Sequence, residues 1–501
     1  MPLRSRFLPA VALILATCCP LVLALPAARP NVIVVLADDL GWTDLAGFGS
    51  DFYETPNIDR LAADGLRFTA AYAAATVCSP TRAALLTGMY PARLHLTDWI
   101  DGMWEYLPAA ERAQLPLMPP DWTKRLEQRH TTLAEALKSD GYRTALIGKW
   151  HLSPRSDDPA VLAAEAPTRH GFDLNIAGNQ WGEPGSYFAP FRLPGAQGLA
   201  ARVENFPPPQ DVKSPYLTDM LTDQAVALIE RWQGQPFFLL LSHYAVHAPF
   251  EGRADLVDKY RRKDATGRRH QDPVYAAMVE SLDASLGRIR DALTRTGMAD
   301  RTIIVFTSDN GGLTYLPGPT SNAPLRAGKG SPYEGGVRVP AIVLWPGVTA
   351  VGQASAQPVI TPDWYPTILA MTGTAGDDDH NRNLDGVSLV ALLRNPTQAL
   401  ERPAIYWHYP HYHKGGSTPY SAVRAGPWRL IEFDEDQRFE LYDLTQDPGE
   451  GQDLSGRFPE QAAALRRQLA AWRTGVGAQI PRPNPDYAGR APDASHDRND
   501  P

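Results

Sequence analysis

Cysteine is nearly absent from this 501-residue chain, which has only Cys18, Cys19 and Cys78. A disulfide-stapled scaffold is thereby excluded. The first two cysteines fall in or at the edge of an N-terminal export segment, so Cys78 is left alone in the mature protein. An unpaired thiol in an exported chain calls for a reason, and conversion to another functional group supplies one. Basic charge is also short. Lys and Arg number 48 against 56 Asp and Glu, a net charge of −8, which removes the footprint that nucleic-acid binding needs, although a polyanion can still dock locally. There is no repeat of fixed period and no coiled-coil heptad pattern. No stable membrane span is expected either: Pro9, Pro20 and Pro26 break the one apolar stretch, which is already short of the ~20 residues a spanning helix needs.

What the chain does have begins with Arg4 and Arg6, followed by the apolar run Phe7 to Ala16 and the small, apolar run Leu21 to Ala28. This reads as a cleaved signal peptide over residues 1–28 and an exported protein, periplasmic or secreted. Leu15-Ala16-Thr17-Cys18 loosely resembles a lipoprotein cleavage box, with Thr a poor fit, so a lipid anchor at Cys18 is a minor option. The remaining length suits one large domain with a smaller companion. The 46 Pro and 40 Gly point to many ordered loops between short elements, which suits a site built from loops.

The β-branched run Asn31 to Ala37 reads as a strand buried on both faces, and it ends in Asp38-Asp39. A second such run, Thr302 to Thr307, delivers Ser308, Asp309, Asn310 and Gly311 to the same sheet edge, where ligands collect in open α/β sheets. Adjacent acids repel one another unless a cation is present. Three carboxylates and an amide oxygen are hard ligands, suited to calcium or magnesium and not to zinc. Between these strands, Thr76 to Gly88 places Cys78 at a helix start, with Pro80 in the first turn and Ala83 to Leu86 as helix formers. An anion held against Cys78 would meet unpaired N–H groups and the positive end of the helix dipole. Taken alone, Cys78 reads first as a buried thiol beside an apolar helix.

Further along, Thr131 to Lys138 reads as an amphipathic helix and Tyr142 to Ile147 as a strand, with Lys149-Trp150-His151 after it. Residues 153–215 read as a long loop excursion. A helix from about Leu217 to Trp232 leads into the buried strand Pro236 to Ser242, followed by His243 and His247. Tyr275 to Thr296 reads as a long core helix. Gly328 and Gly330 let the backbone bring Lys329 close to a ligand. Asp377, Asp378 and Asp379 read as a solvated loop and not a metal site, because EF-hand spacing is missing. From about Pro403 short alternating strands imply an antiparallel sheet, and Ala462 to Arg473 a closing helix. The domain reading is therefore an α/β catalytic domain over 29–400, an antiparallel-sheet subdomain over 401–476 and a disordered tail over 477–501.

Cys78-x-Pro80-x-Arg82 with Leu86-Thr87-Gly88, the Lys149-Trp150-His151 triplet, and Gly328-Lys329-Gly330 before Tyr333-Glu334-Gly335-Gly336-x-Arg338-x-Pro340 resemble the signatures of the formylglycine-dependent (type I) sulfatases. The resemblance spans about residues 30–475 with its motifs in family order. It implies the alkaline phosphatase-like fold, a large mixed, mostly parallel sheet flanked by helices with a smaller C-terminal α+β subdomain. It also implies hydrolysis of sulfate esters, of model aryl sulfates and of a sulfated carbohydrate, at a metal-bound formylglycine hydrate made from Cys78 by a maturation enzyme. The metal, calcium ahead of magnesium, would sit on Asp38, Asp39, the modified Cys78, Asp309 and Asn310. Arg82 would favour the ionised hydroxyl, Lys149 and Lys329 would hold the sulfate, His247 would face the leaving group, and His151 would take the second hydroxyl's proton. His243 is expected to be structural, and Arg338 to brace its loop through Glu334 or nearby carbonyls. Two competing functions are a phosphodiester or phosphonate monoester hydrolase of the same superfamily and a catalytically silent binder of sulfated glycans. His408, His411 and His413, among Trp407, Tyr409 and Tyr412, read as an aromatic, hydrogen-bonding lip for a sugar ahead of a metal tract, and Thr97-Asp98-Trp99 suits the same substrate.

Overall fold

The computed structural model describes residues 29–192, 201–206, 215–315 and 318–489. Its strands in chain order begin with β1 Asn31–Ala37, β2 Leu66–Tyr72, β3 Leu117–Met118, β4 Arg143–Gly148 and β5 Leu174–Ile176. They continue with β6 Phe237–Ser242, β7 Thr302–Ser308, β8 Arg338–Leu344, β9 Gln353–Ser355 and β10 Val359–Ile360. The C-terminal strands are β11 Ile405–Tyr409, β12 Tyr420–Ala425, β13 Trp428–Phe433, β14 Phe439–Asp443 and β15 Arg482–Pro483.

Nine strands form the main sheet in the order β10-β2-β8-β7-β1-β6-β4-β5, with β9 also paired to β2. Only β8 runs antiparallel to its neighbours β2 and β7; the other pairs are parallel. The continuous apolar strands follow from burial on both faces. In β1, Ile33, Val35 and Ala37 pack into one helix-covered core while Val32, Val34 and Leu36 pack into the other. The helices Leu217–Arg231 and Pro273–Arg295 cover the first face, and Leu133–Ser139 and Trp364–Thr372 the second. This is the large, mostly parallel sheet expected from the sequence.

The smaller antiparallel sheet has the order β11-β12-β13-β14, and the helix Pro459–Val476 packs against it. It docks beside the start of the Cys78 helix: Trp407 is buried and its Nε1 donates to the carbonyl of Ala73 at 2.9 Å. The elements expected from periodicity are present with shifted ends, and two expectations need correction. Residues 153–215 are not only a loop, because β5 pairs with β4 and extends the main sheet. The stretch 477–489 is not disordered, because β15 pairs with β3 and Asn484 Nδ2 donates to the carbonyls of Arg112 and Leu115. Proline and charge there indicated disorder because the docking partner lies more than 300 residues upstream, beyond the reach of any local pattern. Asp378–Asn381 forms a short helical turn capped by Asp377, with Asp378 and Asp379 exposed. The expected signal peptide, with Cys18 and Cys19, lies outside the described residues, as do residues 490–501 of the expected tail. No described helix is long and apolar enough to cross a membrane.

Gly148, the last residue of β4, has φ 98°, and a Cβ there would lie 1.9 Å from the carbonyl oxygen of Ser242. Gly148→Ala should therefore cost on the order of 2 kcal/mol in unfolding free energy and displace Lys149. Urea unfolding checks the stability loss, and a stability equal to the parent's would contradict the constraint.

Candidate active site

The carboxyl ends of four adjacent strands converge here. Register pairs Ala37 with Ser308, so the next residues, Asp38 and Asp309, come side by side. Gly148 pairs with Ser242, and the following turns are tied in by Lys149 N donating to Ser242 O (2.8 Å) and Asp38 N donating to Ala245 O (2.9 Å). Asp39 has φ 58° and His151 φ 55°, left-handed conformations that cost a non-glycine residue about 1–3 kcal/mol each. Cys78 arrives from the side as the first residue of the helix Cys78–Thr87, after an extended Val77.

All of the expected site residues meet. Lys149 Nζ lies 2.7 Å from Asp38 Oδ2, and Lys329 Nζ lies 2.8 Å from Asp39 Oδ2 and 3.7 Å from Cys78 Sγ. Cys78 Sγ is 3.7 Å from Asp38 Oδ1. Arg82 donates to Asp309 Oδ2 from Nε (2.9 Å) and Nη2 (2.7 Å), and to Ser242 Oγ from Nη1 (2.6 Å). Asn310 Nδ2 donates to Asp39 Oδ1 at 2.7 Å. All of these side chains are buried.

Burial and the neighbouring Asp309 push the Asp38 carboxyl up to about 8, against the pull of Lys149 and Arg82. At Asp39 burial acts in the same direction, but the nearby positive charges, led by the Lys329 ammonium, outweigh it and hold the carboxyl below its usual range. Burial pushes the Cys78 thiol up to about 12 despite both lysines, so the thiol as it stands is a poor nucleophile at neutral pH. Burial followed by Lys149 and Arg82 drives His151 well below its ordinary value, and burial with Lys329 takes His247 to about 3. Both imidazoles are neutral. His151 Nε2 faces the carbonyl of Ile100 at 3.4 Å, which leaves its buried Nδ1 as an unpaired acceptor. His247 Nδ1 donates to the carbonyl of Ala248 at 2.7 Å, so a bare Nε2 faces Asp39 Oδ2 at 3.6 Å.

The donor set suits a hard cation. The carboxylates of Asp38, Asp39 and Asp309 are buried together, and Asn310 Oδ1 is a buried acceptor with no donor among the described residues. Donor atoms of Asp38, Asp39, Cys78 and His247 lie within 4.8 Å of one another, which adds a histidine at the edge of the expected oxygen set. His243 is structural as expected, with Nε2 2.9 Å from Ser285 Oγ, and Arg338 braces its loop through Glu334 (3.3 Å) and the carbonyl of Thr69 (2.6 Å).

A cavity of about 440 Å³ opens over Cys78. Its walls include Trp99 stacked on Tyr106, Arg155 over the ring of Trp181, and Tyr315. The expected histidine lip is corrected in part. His408 is bonded to Ser421 Oγ and the carbonyl of Gln479, and His411 to Thr97 Oγ1, so both are internal, while His413 reaches the cavity. Asp98 likewise is buried under Tyr409, whose hydroxyl donates to it at 2.6 Å, and it supports Trp99 without reaching the cavity. Tyr106, Arg155 and Tyr315 went unassigned in the sequence because Tyr106 ends a five-residue helix, Gly102–Tyr106, too short to show a period, and the other two sit in irregular segments. Ser242, at the end of a buried apolar strand, carried a legible signal. Gly182 also matters: a Cβ there would lie 2.4 Å from the His151 ring.

Comparison with known proteins gives a consistent result. The family model described as Sulfatase matches residues 30–374, and that for the C-terminal part of N-sulphoglucosamine sulphohydrolase matches 328–474. A sulfatase of Formosa agariphila is 33% identical over 91% of this chain and 93% of its own length. The steryl-sulfatase of Mus musculus is 31% identical over 92% of this chain and 84% of its own. The crystal structure of Ps i-CgsB in complex with k-i-k-neocarrahexaose superposes with a TM-score of 0.71 at 29% identity, covering 89% of this chain and 93% of that one.

Arg82 is the buried counter-charge of Asp309. Arg82→Met should lower the unfolding free energy by about 3–5 kcal/mol, because the carboxylates are left without their guanidinium. A loss below about 1 kcal/mol in urea unfolding would contradict that role.

Proposed function

This chain belongs to the sulfatase family and is a sulfuric ester hydrolase, and from that premise we propose that it removes sulfate from a sulfated carbohydrate at a formylglycine made from Cys78. The observation that carries the reading is Cys78 itself. It is a buried residue at a helix N-terminus, with the Lys329 ammonium 3.7 Å from its sulfur and Lys149 one carboxylate away. A sulfate held there would meet two ammonium groups and unpaired backbone N–H donors. The unmodified thiol is held protonated by burial, which favours a requirement for conversion by a maturation enzyme. A carbohydrate is favoured over a sterol by the cavity's mixture of stacked aromatics with Arg155, Glu183, His413 and Lys414. The oligosaccharide complex of the related i-CgsB supports the same choice. Export to the periplasm or outside the cell fits the N-terminal sequence.

Calcium, held by Asp38, Asp39, Asp309 and Asn310, would supply positive charge that acidifies the attacking hydroxyl and neutralises sulfate oxygens. The hydrated aldehyde at position 78 would supply that hydroxyl, and loss of the proton from its second hydroxyl would form the aldehyde C=O as the C–O bond to the sulfate breaks. Lys149 and Lys329 bind and orient the sulfate. Arg82, fixed by Asp309 and Ser242, holds the helix start in place. The open Nδ1 of His151 accepts the proton of the second hydroxyl. His247 holds its proton on Nδ1, so it becomes the acid for the departing alcohol only after the anionic ester enters and favours protonation at Nε2.

Lys149→Ala and Lys329→Ala should each lower kcat on 4-nitrophenyl sulfate by about 10²–10³-fold. A change below threefold in steady-state kinetics would refute their role. The protein should hydrolyse the sulfate ester faster than a phosphonate monoester of the same alcohol, and the reverse order would favour the competing hydrolase. Calcium at 100 times its Kd should raise unfolding free energy by about 2.7 kcal/mol. EDTA should reverse the gain and Asp309→Asn should remove it; a calcium effect that survives Asp309→Asn would place the ion elsewhere.

A further inference from the structure

Of the three histidines that follow one another from β11 onward, only His413 lines the cavity, and its ring is fixed on one side. The backbone N–H of Gly415 donates to His413 Nδ1 at 2.9 Å. Gly330, the neighbour of Lys329, lies against the same edge, where a Cβ would come within 1.8 Å of Nδ1 and 2.1 Å of Cε1. Ser417 Oγ donates to the carbonyl of Gly330 at 2.6 Å, and His413 N donates to the carbonyl of Ser417 at 2.9 Å, so the ring and the Lys329 loop are held together. Tyr315 meets the ring edge-on with centroids 5.8 Å apart.

Because Nδ1 accepts a hydrogen bond, the proton of the neutral imidazole is on Nε2. Nε2 has no partner among the described residues, and the edge of the ring away from Gly330 is the one left to face the cavity. Burial together with Lys329 and Lys414 takes the group down to about 3, so it stays neutral across physiological pH. The result is a fixed, uncharged N–H donor beside the lysine assigned to sulfate. An anion would be better met by a cation, and Lys149 and Lys329 already serve that purpose. A neutral donor matches a neutral acceptor.

We propose that His413 is a specificity-determining residue whose Nε2–H donates a hydrogen bond to an uncharged oxygen, a hydroxyl or ether oxygen, on the alcohol portion of the sulfate ester. The proposal rests on the sulfate-ester hydrolysis described above and does not require that the alcohol be a sugar. A site built to pair with such an oxygen discriminates against substrates that lack it, because its own donor is left unpaired.

The test compares 2-hydroxy-4-nitrophenyl sulfate with 4-nitrophenyl sulfate, which differ by one hydroxyl next to the ester, and adds the 6-sulfates of galactose, N-acetylgalactosamine and N-acetylglucosamine. The matured wild type, His413→Phe and His413→Gln are assayed, with thermal unfolding as a check on folding. The expected result is that the kcat/KM ratio of 2-hydroxy-4-nitrophenyl sulfate to 4-nitrophenyl sulfate falls at least tenfold in His413→Phe and is largely restored in His413→Gln, whose amide keeps a donor near Nε2. Any sugar sulfate that the wild type cleaves should lose at least as much relative to 4-nitrophenyl sulfate. An unchanged ratio in a folded His413→Phe, or a ratio that falls equally in His413→Gln, overturns the proposal. A wild type that cleaves both aryl sulfates and none of the sugars counts against the carbohydrate reading, while the aryl ratio still decides His413.

Discussion

Three carboxylates held out of water at the ends of two adjacent strands are the constraint on which the site depends. Asp38, Asp39 and Asp309 cannot all be ionised in that volume unless positive charge surrounds them, and the fold brings Arg82, Lys149 and Lys329 from three separate segments to do so. Each cation arrives from a different direction: one from a helix, one from the end of β4 and one from a glycine-flanked loop. The same balance leaves lysine ammonium groups beside Cys78, where, in the proposed reaction, an incoming sulfate would take over from the carboxylates as their partner. Structural need and the proposed catalytic use would thus be met by one set of charges.

The strand order makes this possible. Parallel pairing of β7, β1, β6 and β4 places four carboxyl ends in a row, and a mostly parallel sheet buried on both faces keeps them rigid. The antiparallel C-terminal sheet is more than an appendage. It packs on the start of the Cys78 helix through Trp407, contacts the Lys329 loop through Ser417, and contributes His413 to the cavity. One wall of the substrate space therefore comes from the second sheet, whose strands were easy to anticipate and whose docking was not.

The main sheet was legible in the sequence because its strands are continuous β-branched and aliphatic runs, a pattern that burial on both faces demands. The acids, Lys149 and His151 at their ends were legible because chemistry-bearing residues directly follow those runs, and Lys329 was legible from its flanking glycines. The cavity walls were much less so. Tyr106 ends a very short helix and Arg155 and Tyr315 come from irregular segments, and among three similar-looking histidines only the tertiary fold decides that His408 and His411 turn inward and His413 does not. The pairing of β15 with β3 joins residues far apart in the chain, and no local period could announce it. Thr97-Asp98-Trp99 shows the same limit: adjacent residues divide into a buried support and a half-buried cavity wall.

The central claim is that Cys78 acts only after its thiol has become an aldehyde. Peptide mass spectrometry across Cys78, on preparations made with and without a formylglycine-generating enzyme, tests it most directly when paired with hydrolysis of 4-nitrophenyl sulfate. The rate per molecule should rise in proportion to the fraction carrying the aldehyde and vanish where the thiol is intact. Full activity in protein whose Cys78 is entirely unconverted would contradict it.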